Sequence, residues 1–161
     1  MKTAFVKSWV VASLLLIAST VSTRADFTFG KAQDLGIPGG TPWVMADNLE
    51  LYFVADRPGG LGYFDIWVAK RSSVSEPWGP PANLGAPVTS QYNEAWPSLS
   101  ADGLTLYFSD CFSGVNSAPD RPGGLGGHDI WMSTRASRAA LWGPPVNPER
   151  SSTTAPAPTI G

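Results

Sequence analysis

The sequence holds a single cysteine, Cys111, and a single histidine, His128, among 161 residues. One cysteine makes no internal disulfide, so the fold is not a cross-linked scaffold. No histidine or basic cluster stands beside Cys111 to activate its thiol, and it reads as an unpaired loop residue. Charge is sparse as well, at 15% of residues and a net of −2. Beyond residue 25 no apolar stretch has helical spacing, which argues against an amphipathic helical fold. Glycine and proline, by contrast, are abundant, at 17 and 15 residues.

The first 25 residues form a separate unit. Lys2 and Lys7 precede the apolar run Trp9–Ala18, and small and polar residues lead to Thr23-Arg24-Ala25. This is the three-part pattern of a secretory signal peptide, with cleavage expected after Ala25. The apolar stretch from Trp9 to Val21 is 13 residues, short of the ~20 that a spanning helix needs. The mature chain is then Asp26 to Gly161, 136 residues long, a length that suits one domain. It keeps eight basic against 13 acidic residues, a net charge of −5. That balance gives no electrostatic basis for binding nucleic acid or an anionic membrane surface. The expected location is outside the cytoplasm, periplasmic or extracellular, with no stable membrane insertion after cleavage.

The body of the chain is repeated. Ala46–Phe53 (ADNLELYF) matches Ala101–Phe108 (ADGLTLYF) at an offset of 55. Asp56–Gly62 and Asp120–Gly126 both read DRPGGLG, at an offset of 64. Asp65-Ile66-Trp67 and Trp78-Gly79-Pro80-Pro81 recur at 64 as Asp129-Ile130-Trp131 and Trp142-Gly143-Pro144-Pro145. The second copy therefore carries nine extra residues, within Asp110 to Asp120. Four ordered matches mark an internal repeat, the signature of an array of like structural units. The copies run from about 35 to 84 and from 85 to 147.

Each copy predicts four short strands. Trp96–Ser100 is extended, and Pro97 suits the start of a strand rather than its middle. Asp102-Gly103, or Asp47-Asn48 in the first copy, predicts a two-residue hairpin turn. Leu104, Leu106 and Phe108 then share one face against Thr105 and Tyr107, as Leu49, Leu51 and Phe53 do against Glu50 and Tyr52. One face is fully apolar and the other mixed. Asp65–Ala69 and Asp129–Ser133 give a third strand, with Ile and Trp on opposite faces, so both faces are expected to be covered. Ala82-Asn83-Leu84 and Val146-Asn147 give a weaker fourth. The fold class is all-β: two four-stranded antiparallel blades of β-propeller type, forming an incomplete propeller. The Ser/Thr/Ala/Pro-rich segment 148–161 is expected to be a disordered tail.

Ser100–Asp110 (SADGLTLYFSD), a Gly-rich loop and Asp129–Arg135 (DIWMSTR) together resemble the WD-repeat-like propeller repeat of the TolB type. Ala101 stands where that family has proline in its Ser-Pro-Asp-Gly turn. The RPGG loops and the WGPP-N-LG connector are similar to tandem arrays in large exported bacterial proteins. The resemblance covers about Leu35 to Asn147. It implies blades of a ring that usually closes with six or seven. Taken with the signal segment and the lack of a catalytic constellation, the leading expectation is an exported, non-catalytic module that binds protein or ligand or serves as a scaffold. The alternatives are a fragment of a larger propeller-containing hydrolase or lyase, or a truncated gene product without independent function. Blades bury their faces against neighbouring blades, so two blades are expected to be marginally stable or to self-associate to complete a ring. Several tryptophans are then expected to be half exposed.

No catalytic constellation is visible. The DRPGGLG loops lack the Gly-Lys-Ser/Thr and following helix of a phosphate loop, and read as tight turns. Asp56, Asp65, Asp110, Asp120 and Asp129 lack the alternate spacing of a calcium loop and read as ties to loop amides. His128, with Phe64 as its counterpart, has no nucleophile elbow or partnered acid in the sequence. No catalytic residue, metal ligand or cofactor is assigned. The candidate interaction positions are the Arg57 and Arg121 loops, His128, and the insertion from Cys111 to Pro119, because recognition concentrates on loops.

Overall fold

The structure, a computed structural model, describes residues 31–32, 34–110 and 120–152. The expected signal segment, the insertion Cys111–Pro119 and the tail from residue 153 lie outside the described residues. Strands β1 (Gly40–Val44), β2 (Glu50–Ala55), β3 (Asp65–Lys70) and β4 (Ala82–Asn83) form one antiparallel sheet in the order β1-β2-β3-β4. Strands β5 (Glu94–Leu99), β6 (Thr105–Asp110) and β7 (Ile130–Thr134) form a second antiparallel sheet in the order β5-β6-β7. Both sheets are open.

The second sheet has three strands, where four were expected. Val146 makes an isolated bridge, exchanging 2.9 Å hydrogen bonds with Met132. In the first copy the pairing continues, because Leu84 N donates to the Ile66 carbonyl at 3.0 Å. The residue in Leu84's place is Pro148, which has no N–H, so the ladder stops. Pro148 instead opens a short helix, α1 (Pro148–Ser152), capped by Asn147 Oδ1, which accepts from Glu149 N at 3.0 Å. The segment expected to be a disordered tail thus starts with a helical turn, for the usual reasons: an asparagine N-cap and proline at the first helical position.

Two local expectations are corrected. Pro97 lies inside β5, not at its start. The β5–β6 register shifts between Ala95 and Ser98, and Trp96 there has φ +49°. Thr41 (φ +45°) and Pro42 form the same irregularity in β1, between Gly40 and Trp43. A bulge frees one residue from the ladder, which is where a strand tolerates proline. The hairpin turns are also longer than two residues. Ser100 N donates to Thr105 O at 2.9 Å and Gly103 N to Ser100 O at 2.9 Å, closing a loop over residues 101–104. Asp102 Oδ1 accepts from Leu104 N at 2.9 Å, and the loop turns back through Gly103 at φ +72°. Asp47 Oδ1 and Leu49 N (3.0 Å) repeat this, with Asn48 at φ +60°.

The core lies mainly between the sheets. Tyr52, Val54, Ile66 and Val68 of the first sheet pack with Leu106, Phe108 and Trp131 of the second, joined by Val88, Leu99 and Trp142. On the other side of the first sheet Leu51, Phe53 and Trp67 are buried with Ile37 and Trp78. The face of β2 expected to be mixed is therefore interior, with Glu50 and Tyr52 both buried. Its polar groups are satisfied both within the first sheet and across the interface. Glu50 meets Tyr52 OH (2.8 Å), Lys70 (3.1 Å), Arg138 (3.3 Å) and Arg135 (3.6 Å). Burial pushes the Glu50 carboxyl up, but the Tyr52 and Lys70 bonds and the neighbouring cations outweigh it and leave the group below its ordinary value.

The outer face of the second sheet is uncovered, contrary to the expectation that both faces would be. Ile130 is 56% exposed, Val146 44% and Tyr107 42%. Among the described residues Trp96 and Trp43 are the exposed tryptophans, while Trp67, Trp131 and Trp142 are buried. The wet aromatic surface is thus not shared between the outer faces of both sheets, because the outer face of the first sheet is buried.

Candidate functional site

The repeated loop DRPGGLG has one purpose in both copies: it hangs an arginine over the aromatic pair of its sheet. Gly60 N donates to Arg57 O (3.0 Å) and Gly124 N to Arg121 O (3.2 Å). Pro58 and Pro122 take the first central position, Gly59 (φ +93°) and Gly123 (φ +92°) the second, which is the pattern of a type II turn. The next glycine is there for space. A Cβ on Gly60 would stand 2.2 Å from Asp65 Oδ2, and one on Gly124 2.4 Å from Asp129 Oδ2. Those carboxylates tie the loop down: Asp65 accepts from Leu61 N (2.8 Å) and Gly62 N (3.2 Å), Asp129 from Leu125 N (2.9 Å) and Gly126 N (3.3 Å).

The arginines held this way lie against π faces. Arg57 Cζ is 6.0 Å from the Phe53 ring centre and 5.5 Å from that of Trp67. Arg121 Cζ is 5.4 Å from Phe108, 5.3 Å from Trp131 and 5.0 Å from Tyr92. Arg121 is also ion-paired. Its Nη2 donates to Glu94 Oε1 and, at 3.3 Å each, to Ser90 Oγ and the Val88 carbonyl. Ser90 Oγ in turn donates to Glu94 Oε1 at 2.8 Å. Burial pushes the Glu94 carboxyl up to about 8, against the pull of Arg121 and Ser90. Arg121 itself is lowered by burial, partly offset by the charges of Glu94 and Asp110.

No family model, curated protein or solved structure matches this chain.

Of the candidate interaction residues, Arg121 is 9% exposed and engaged with Glu94. It is a structural tie and not a surface contact. Arg57 is half-buried and its Nη1 is buried without a hydrogen-bond partner. His128 is exposed, its ring 6.0 Å from that of Trp96. The insertion Cys111–Pro119 lies outside the described residues. A cleft of about 230 Å³ opens between the Arg121 loop, Asp110 and Asp129. Its two inner carboxylates are occupied: Asp110 accepts from Asp129 N (2.7 Å) and Trp131 Nε1 (3.0 Å), and Asp129 also from Asn147 Nδ2 (3.2 Å). Among the described residues no group of three His, Cys, Asp or Glu side chains is arranged to hold a metal ion. No helix among them is long and apolar enough to cross a membrane.

A second arginine station went unnoticed in the sequence. Arg71 and Arg135, at the end of the third strands, stack on Trp78 and Trp142, each 4.3 Å from the ring centre. Arg71 Nε donates to Asn48 O (2.7 Å) and Arg135 Nε to Gly103 O (2.8 Å). Arg135 reaches further, and its Nη2 meets Tyr52 OH at 3.5 Å in the other sheet. Their recurrence at the offset of 64, seven residues before each WGPP, was the available signal.

Proposed function

We propose that this chain is an exported, non-catalytic repeat module of the TolB-like β-propeller type, and that it works by docking a further sheet of its own kind, supplied by a second copy of the chain. The observation that carries this reading is the open face of the second sheet. Tyr107, Ile130 and Met132 there are the repeat counterparts of Tyr52, Ile66 and Val68. In the first sheet the residues at those positions are covered by the second sheet. The equivalent surface on the second sheet presents Tyr107 and Ile130 to solvent. An apolar sheet face of this kind is stabilised by burial against a complementary layer.

The complementary surface has a model in the internal contact. There Phe108, Trp131 and Trp142 pack on the first sheet and Arg135 reaches Tyr52 OH. Phe53, Trp67, Trp78 and Arg71 are the corresponding residues of the first sheet. Arg71 makes the same local bonds as Arg135. A second copy that brings its half-buried Arg71 and Trp78 onto Tyr107 would repeat part of the internal contact, since Phe53 and Trp67 are already covered within the first sheet. This is a heterologous arrangement, which propagates or closes into a ring.

Light scattering on the purified protein, as a function of concentration, tests the reading. The expected result is a mass above the monomer that rises with concentration, and a monomer for Ile130→Asp with unchanged circular dichroism. A stably folded wild-type monomer at every concentration would overturn it, and so would an Ile130→Asp protein that associates as the wild type does.

A further inference from the structure

Arg57 and Arg121 occupy the same place in the two sheets but have different partners. Both precede Pro-Gly-Gly, and both lie over the Phe–Trp pair of their own sheet. Arg121 is matched by Glu94, which stands one residue before Ala95, the partner of Ser109 in the ladder. The corresponding position in the first sheet is Gly39, one residue before Gly40, the partner of Val54. No side chain fits at residue 39. A Cβ there would lie 2.5 Å from Phe53 Cδ2 and 2.9 Å from the Val54 carbonyl oxygen.

The second acid is missing too. Asp110, whose charge acts on Arg121, has Ala55 as its counterpart. Trp67 Nε1 accordingly donates to the Ala55 carbonyl at 3.1 Å, where Trp131 Nε1 donates to the Asp110 carboxylate at 3.0 Å. Arg57 makes no ion pair among the described residues, and its Nη1 is withdrawn from water with no acceptor. A guanidinium stays charged at any working pH, and its forked N–H groups match a carboxylate. Leaving such a donor buried and unpaired is unfavourable, and an incoming anion meets a group whose desolvation has already taken place.

We infer that Arg57, backed by the Phe53 and Trp67 rings, is a binding site for a carboxylate supplied from outside the first sheet, in the role that Glu94 has toward Arg121 in the second. The carboxylate belongs to a small organic acid or to a glutamate in an extended peptide. The site takes the ligand with charge-assisted hydrogen bonds from the half-buried guanidinium, and the aromatic faces hold that group in position.

The test is an NMR titration of the full-length protein, following the Arg57 Nε–H and Trp67 Nε1–H signals. The probes are acetate and a C-terminally amidated peptide of residues 89–96, in which Glu94 is the sole carboxylate. Both signals are expected to shift while those of Arg121 and Trp131 stay in place. Arg57→Gln is expected to weaken binding about tenfold or more, the usual scale for a lost charge-assisted bond. Acetate acting as well as the peptide assigns the site to small acids, and tighter peptide binding assigns it to a glutamate segment. The same peptide carrying Glu94→Gln is expected not to shift either signal. If neither probe moves Arg57 and Trp67, or if the glutamine peptide binds as well as the glutamate one, the site does not exist. The peptide comparison on wild-type protein decides the matter even if Arg57→Gln does not fold.

Discussion

Replacing Glu94 by alanine removes the carboxylate from a pair whose members are both withdrawn from solvent, Arg121 at 8% and Glu94 at 0% side-chain exposure. At pH 9, above the Glu94 titration near 8, the carboxylate is ionised and the pair is fully charged. Loss of one partner of a buried pair costs about 3–5 kcal/mol, because the other charge is left uncompensated. The Ser90 hydroxyl and Val88 carbonyl still accept from Arg121, which favours the lower half of that range. Against a domain stability of about 5–15 kcal/mol the loss is large. The double variant Glu94→Ala/Arg121→Met removes both charges and is expected to recover most of it, to within about 1 kcal/mol of wild type, since an apolar replacement of a buried pair is often close to neutral. Arg57→Met is the internal control, with the same loop and rings but no ion pair among the described residues, and is expected to cost less than Glu94→Ala. Urea denaturation at pH 9, read by tryptophan fluorescence, measures all four proteins. A Glu94→Ala cost below about 1 kcal/mol, the scale of an exposed pair, would refute the buried pairing. So would a double variant no more stable than the single one.

Two further outcomes follow from the same loops and the same pair. Because burial holds the Glu94 carboxyl at about 8, above its ordinary 4.5, the folded chain binds that proton more tightly than the unfolded chain does. Its contribution to stability is therefore fully present below pH 4.5 and is lost as pH rises through about 8. Thermal melts across this window are expected to show the difference between wild type and Glu94→Gln changing with pH, and a constant difference would contradict the shift. Gly59→Ala and Gly123→Ala place a Cβ at φ +93° and φ +92°. Each is expected to cost about 1–2 kcal/mol by denaturant titration, with neither substitution meeting a heavy atom closer than 3.6 Å. Costs near zero would mean that the turn is not held at positive φ.

Much of the fold was legible because it rests on local rules and on repetition. Alternation in Leu104–Phe108 marked β6, and the burial of Leu106 and Phe108 follows its apolar face. The paired DRPGGLG segments announced a turn twice, and the type II geometry is what Pro-Gly demands in any context. The bulges at Thr41-Pro42 and Trp96-Pro97 were not legible, since proline alone signals a strand end and the ladder around it decides otherwise. The missing fourth strand of the second sheet was in fact written in one residue, Pro148, whose lack of an N–H matters once Leu84 is seen donating to Ile66.

The site was half visible. Its arginines were named from the loops, but their roles diverge for reasons far away in sequence. Glu94 precedes Arg121 by 27 residues, and nothing local marks it as the partner. Gly39 is one of many glycines until its backbone is found against the Phe53 ring. The sequence by itself determined two copies of one antiparallel unit, each with an arginine loop over a Phe–Trp pair, because turn chemistry and strand alternation act over a few residues. Tertiary structure decided which faces are wet and which arginine is matched, because stacking one sheet on another buries Tyr52 while leaving its twin Tyr107 exposed, and brings a carboxylate to Arg121 while leaving Arg57 without one.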